Sequence, residues 1–108
     1  MQEQRERRRH ERTPLSCPAR ILDKRKRLLV KGKTADISAS GVMILGPLIK
    51  EPKLGSEVNV EIELLLPSAP KSRTISRTAS VRRVQKMGEW TSVALEFADL
   101  VDLNPQSN

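Results

Sequence analysis

The sequence predicts an antiparallel all-β domain, closed into a small barrel, and three observations carry that prediction. Glu57–Leu64 alternates strictly, with Val58, Val60, Ile62 and Leu64 on one face and three glutamates and an asparagine on the other, the signature of a half-buried strand. Five or six short segments of extended character are separated by turn residues. No long amphipathic helical stripe is present. At 108 residues the chain makes one domain able to build a core without disulfide or metal staples. Closure into a barrel removes exposed strand edges, and a two-sheet sandwich is the structural alternative because strand pairing cannot be read from one sequence.

Taken in order, Met1–Glu11 is charged or amide-bearing and has no apolar period. A helix this short is marginal in water even with Glu3 and Arg7 four apart, so residues 1–13 read as a mobile basic arm. Residues 14–103 form the domain and 104–108 a tail. Pro14 and Pro18 bracket the alternating set Leu15, Cys17, Ala19 and Ile21, which fits an edge strand, where proline is tolerated. Asp23–Lys26 is a polar turn. Leu28–Val30 opens a second strand, Lys31-Gly32-Lys33 marks a turn or bulge, and Thr34–Ser38 resumes extended structure. Val42–Leu45 is a continuous apolar run ended by Gly46-Pro47, as expected of a buried strand, and Leu48–Ser56 reads as a loop.

Beyond the Glu57–Leu64 strand, the Pro67–Ser72 stretch is a long hairpin connection. Thr74–Gln85 is the next strand, its alternation slipping at Arg82-Arg83, where a bulge fits. Lys86–Glu89 makes a turn, and Val93, Leu95 and Phe97 line the inner face of the last strand. Ala98–Leu103 is expected to form one helical turn before Pro105 stops it, so there is little or no C-terminal helix.

Composition removes several classes of function. One Phe, one Trp and no Tyr make the core aliphatic and leave no aromatic platform for single-stranded nucleic acid. Lone Cys17 forms no internal disulfide, and no apolar run approaches the ~20 residues of a membrane span. A soluble cytoplasmic protein is the expectation. His10 lies in the arm and Cys17 on a strand, a poor arrangement for a positioned nucleophile–base pair; together they supply at most half of a four-ligand zinc site, and no calcium loop is present, so no catalytic residue, metal or cofactor is implied. Neither a P-loop nor a dinucleotide fingerprint occurs among the scattered glycines.

The net charge of +7 is unevenly spread. Residues 1–33 hold twelve Lys/Arg against four Asp/Glu, and residues 34–108 hold eight against nine. This asymmetry points to an anionic partner met near the N-terminus: nucleic acid, nucleotide or membrane surface.

Two short motifs sharpen that reading. Arg8-Arg9-His10-Glu11-Arg12 fits RxxxR on Arg8 and Arg12, and Asp36-Ile37-Ser38-Ala39-Ser40-Gly41 fits [D/N]xSxxG on Asp36, Ser38 and Gly41. Taken alone, the first reads as a solvated basic tail and the second as a turn before a strand. In this order, with Val42-Met43-Ile44 and the terminal Val93–Phe97 strand, the chain from Glu6 to Phe97 resembles the PilZ domain, the bacterial receptor module for the second messenger cyclic di-GMP.

The resemblance implies a six-stranded antiparallel β-barrel whose arginine arm folds across the barrel mouth onto the ligand. Arg8 and Arg12 would then meet the nucleotide, with Arg7 and Arg9 as auxiliaries. Guanidinium groups can clamp phosphate, fork onto the guanine O6/N7 edge, or lie flat on a base. Asp36 would accept from guanine N1–H and N2–H₂, Ser38 would add a hydroxyl, and Gly41 would let backbone turn or approach without a Cβ. Ligand would order the arm, and a downstream protein partner would read its new position. Many relatives carry an apolar residue and a proline where this chain has His10-Glu11. The alternatives are a PilZ-like domain acting through protein contacts without ligand, and a small basic barrel binding nucleic acid through phosphates. Cys17 is assigned to the core, His10 to the arm, and Trp90 to a partly exposed strand position.

Overall fold

Six strands, paired antiparallel throughout, close into a barrel in the computed structural model, which describes residues 13–64 and 73–103. The strands are β1 (Pro18–Leu22), β2 (Leu28–Ile37), β3 (Gly41–Gly46), β4 (Glu57–Leu64), β5 (Arg73–Met87) and β6 (Trp90–Phe97). Their order around the barrel is β1-β2-β3-β6-β5-β4, and β4 pairs back onto β1 through Ala19↔Ile62 and Ile21↔Val60. The sandwich alternative is thereby excluded. β1 has a neighbour on each side and is not the edge strand that Pro14 and Pro18 suggested. Pro18 is tolerated because it is the first residue of the strand, where the missing N–H costs the ladder least.

The interior is aliphatic. Ile21, Val30, Ile37, Ile44, Val60, Ile62 and Val93 have no solvent exposure, and full burial of each such side chain is worth about 1.5–3 kcal/mol. β4 shows the simplest pattern, with Val58, Val60, Ile62 and Leu64 buried. The slip at Arg82-Arg83 is a bulge against β6, between Val81 and Arg83. The β4–β5 connection, 65–72, residues 1–12 of the arm and the tail, 104–108, lie outside the described residues.

Two local expectations are corrected. Gly32 is neither turn nor bulge but an interior residue of β2, paired with Ala19. Backbone proximity explains the glycine: a Cβ there would overlap the Leu45 carbonyl oxygen and lie 2.8 Å from Gly46 Cα. β2 is irregular instead at Ala35, between Thr34 and Asp36 in the pairing with β3, and at Leu29, which the pairing with β1 skips between Ile21↔Val30 and Leu22↔Leu28. Ala98–Leu103 forms no helix. Its N–H groups bond across the fold instead: Ala98 N–H donates to Thr78 O at 2.8 Å and Val101 N–H to Ala39 O at 2.8 Å, and buried Val101 plugs the barrel end.

Since β1, β3 and β5 run one way and β2, β4 and β6 the other, the connections divide between two ends. The β1–β2, β3–β4 and β5–β6 connections share one end, and the β2–β3 turn lies at the other. Asp23 shapes the β1–β2 turn, its carboxylate accepting from the Arg27 and Arg25 N–H groups and from the Arg27 guanidinium. These bonds, the Arg27 N–H foremost, hold its carboxyl below the usual carboxylate range;.

Gly32→Ala should therefore lower the denaturant midpoint severely, by several times the roughly 0.5 kcal/mol expected of an innocuous surface change such as Lys31→Ala. Equal midpoints for the two variants would show that the β2–β3 backbones can part at no cost.

Candidate functional site

The β2–β3 turn is built around one hydroxyl. Ser38 N–H donates to Gly41 O at 2.9 Å, closing the turn. Ser38 Oγ, with the residue only 1% exposed, accepts from the N–H groups of Gly41 at 3.2 Å and Ser40 at 3.3 Å. Serine satisfies such local backbone donors cheaply, which is why it recurs in turns. The loop carbonyls are also engaged: Ser40 O accepts from Phe97 N–H at 2.8 Å and Ala39 O from Val101 N–H. Gly41 is required by close approach, since a Cβ would stand 2.5 Å from the Leu95 carbonyl oxygen of β6. Asp36, Ser38 and Gly41 thus belong to one hairpin with a fixed backbone.

The side chain of Asp36 owes its position to the Ala35 bulge. Along β2, Val30 and Thr34 face the interior, and unbroken alternation would send Asp36 inward after them. The inserted residue reverses the phase. Ile37 becomes fully buried opposite Val42, while Asp36, opposite Met43, is only partly buried. Across the sheet the same row continues through Ala94 to Arg83. Next to it, Glu96 pairs with Gly41 in register and holds Arg82 through Nε at 2.6 Å. Arg82 and Arg83 were legible only as a break in alternation; nothing in their spacing placed them on the strand next but one to the turn.

The segment leading out of the arm is fastened to the same stretch of β2. Thr13 N–H donates to Ile37 O at 2.8 Å, and Ile37 N–H returns the bond to Thr13 O at 2.9 Å. Buried Thr34 fixes the remainder of the lead: its Oγ1 accepts from Cys17 N–H at 2.9 Å and donates to Leu15 O, and its N–H donates to Cys17 O at 2.8 Å. Neither threonine stood out in the sequence, where a β-branched residue in a strand is ordinary. Cys17 is buried core as expected and Trp90 is about half exposed. Arg7, Arg8, Arg9, His10 and Arg12 lie outside the described residues. Among the described residues no group of His, Cys, Asp and Glu could hold a metal.

The PilZ domain family model matches residues 6–106. The chain belongs to the PilZ domain family. Solved PilZ-type structures share its barrel. The Bacillus subtilis inhibitor of motility, MotI/DgrA, superimposes with a TM-score of 0.71 at 22% identity, covering 87% of this chain and 44% of that one, so the chain spans less than half of that protein's length. The PilZ domain of YcgR from Escherichia coli, solved with cyclic di-GMP, superimposes at 0.59 with 18% identity, covering 92% of this chain and 81% of that one. No curated protein matches the sequence. At these identities the neighbours establish the PilZ fold alone.

Ser38→Ala removes the acceptor of two turn N–H groups, and each buried donor left unsatisfied costs about 1–3 kcal/mol. Chemical denaturation should show a loss of that order. A loss below roughly 0.5 kcal/mol would mean that the hydroxyl does not hold the turn.

Proposed function

We propose that this PilZ domain is a cyclic di-GMP receptor and adaptor, with the nucleotide held between the arginine arm and the Asp36 edge of β2. The observation that carries the reading is the backbone pairing of Thr13 with Ile37. Arg12 directly precedes Thr13 in the chain, and Thr13 pairs with Ile37, the residue after Asp36. Arg8 is at most roughly 14 Å of extended chain further away. The pairing supports a reading in which the two motifs, more than twenty residues apart in sequence, meet at one end of the barrel.

The division of labour follows from chemistry. Arg8 and Arg12, assisted by Arg7 and Arg9, supply forked donors for phosphate and for the guanine O6/N7 edge, and planar cations for stacking. Asp36, turned toward the surface by the bulge, is the acceptor for guanine N1–H and N2–H₂. Ser38 acts through the turn it ties, and Gly41 by letting that turn lie against β6. Binding would order the arm over the barrel end, and a partner protein would read the new surface. The reading implies a bacterial, cytoplasmic receptor with no catalysis of its own.

Calorimetric titration with cyclic di-GMP beside cyclic di-AMP tests it. The guanine ligand should bind in preference to the adenine one, and Arg8→Ala or Asp36→Ala should each weaken binding roughly ten- to a hundredfold, the worth of a charged hydrogen bond. No heat at ligand concentrations on the order of tens of micromolar would refute the receptor. Undiminished binding by Asp36→Ala would remove that residue from the site.

A further inference from the structure

The basic excess of the first third of the chain is not centred on the arm. Residues 1–13 hold five arginines and three glutamates, whereas residues 14–33 hold seven Lys/Arg and a single aspartate. The structure places much of this second group at the barrel end opposite the β2–β3 turn, on and beside the β1–β2 connection. The three connections of that end meet there. The β1–β2 turn and the β3–β4 loop share a concavity of about 380 Å³ lined by Arg25, Lys50 and Lys53. Lys24 reaches Glu57 at 3.1 Å, and Ile49 and Lys50 both donate their N–H to Leu29 O. The β5–β6 turn joins them through Lys86 and Glu51, 2.9 Å apart. A groove of about 520 Å³ beside it is lined by Trp90, Pro47, Lys31 and Lys33.

Two properties coincide on this end. Carboxylates are already spent: Asp23 pairs with Arg27, Glu57 with Lys24 and Glu51 with Lys86. Arg25, Lys26, Lys50 and Lys53 have no carboxylate partner among the described residues, against Glu89 as the one acid of these connections outside those pairs; Lys31, further along β2, also borders a concavity lined by Glu61 and Glu63. Large apolar side chains also project here. Of the five that the barrel exposes among the described residues, Ile49 (60%), Leu54 (70%), Met87 (46%) and Trp90 (47%) lie on or beside the β3–β4 and β5–β6 connections, and only Leu100 (64%) lies at the other end.

We propose that this end docks on an anionic membrane surface, with Ile49, Leu54, Met87 and Trp90 entering the interface and the surrounding lysines and arginines meeting lipid headgroup phosphates. Cations near an anionic leaflet each contribute favourably, and an indole with an aliphatic flank is the side-chain chemistry of the membrane–water boundary. Projecting aliphatic groups distinguish this face from a nucleic-acid surface, whose affinity resides in phosphate contacts and where exposed Leu54 and Ile49 would gain nothing. Among the described residues no helix is long and apolar enough to cross a membrane, so the contact is peripheral. It leaves the Asp36 end facing away from the lipid.

Trp90 is the sole tryptophan of the chain, so its fluorescence reports directly. Added vesicles of phosphatidylcholine containing phosphatidylglycerol should shift its emission to the blue and expose it to quenching by bromine-labelled acyl chains; phosphatidylcholine alone should do neither. Lys50→Gln combined with Lys53→Gln should lower vesicle partitioning about thirtyfold, the worth of two cations beside an anionic surface. Leu54→Ser, at an exposed site that leaves the barrel intact, should weaken it independently. Vesicle binding with unshifted emission would assign adsorption to the arm and overturn the proposal, as would partitioning indifferent to the Lys50/Lys53 and Leu54 substitutions. An equal emission shift on duplex DNA would assign the face to nucleic acid instead. None of these outcomes depends on cyclic di-GMP.

Discussion

A strand has two faces, and β2 must use both. Its inner face carries Val30 and Thr34 into the barrel, yet Ile37, an odd number of residues further on, is also fully buried. Period-two geometry forbids this without an extra residue, and Ala35 is that residue;. The insertion lets the core continue to the end of the strand, brings Asp36 toward the surface, and presents the Ile37 backbone to Thr13. Without it, either Ile37 would face water or a carboxylate would face an aliphatic core, where an unpaired charge is very costly. The burial of Ile37, the pairing of Thr13 and the Asp36 edge all rest on this register change.

The antiparallel connectivity then separates two chemistries by the length of β2. At one end the chain enters beside Ile37, and the Ser38–Gly41 turn is held by its own hydroxyl and by the residues following β6. At the other, three connections gather exposed aliphatic and indole groups among cations whose carboxylate neighbours are already paired. The proposed nucleotide site would lie at the first of these ends, and the proposed membrane contact at the second.

Much of the barrel was legible because its strands are simple. β4 reads off the sequence at both ends, since Val58, Val60, Ile62 and Leu64 see nothing but core. The slip at Arg82 was visible because two successive arginines between Val81 and Val84 break the alternation of the two faces. Where reading failed, a distant backbone was responsible. Gly32 looks like a turn residue, but it is glycine because the Leu45 carbonyl passes where its Cβ would be. Ala98–Leu103 has the composition of a helical turn, but its N–H groups find better acceptors in Thr78 and Ala39. The charge asymmetry was countable over 33 residues, but a count does not say which turn a lysine decorates.

The amino-acid sequence by itself determined the fold class, the aliphatic core, the PilZ resemblance and the two motifs, because alternation, turn residues and short spacings are local properties written in neighbouring side chains. Only the tertiary structure decided that Thr13 lies against Ile37, that a bulge at Ala35 turns Asp36 outward, that the Ser38 hydroxyl is spent within its own turn, and that Trp90 shares an end with Leu54 and Lys50. Those facts depend on register between segments far apart in the chain, and register is set by closure of the whole barrel rather than by any one strand.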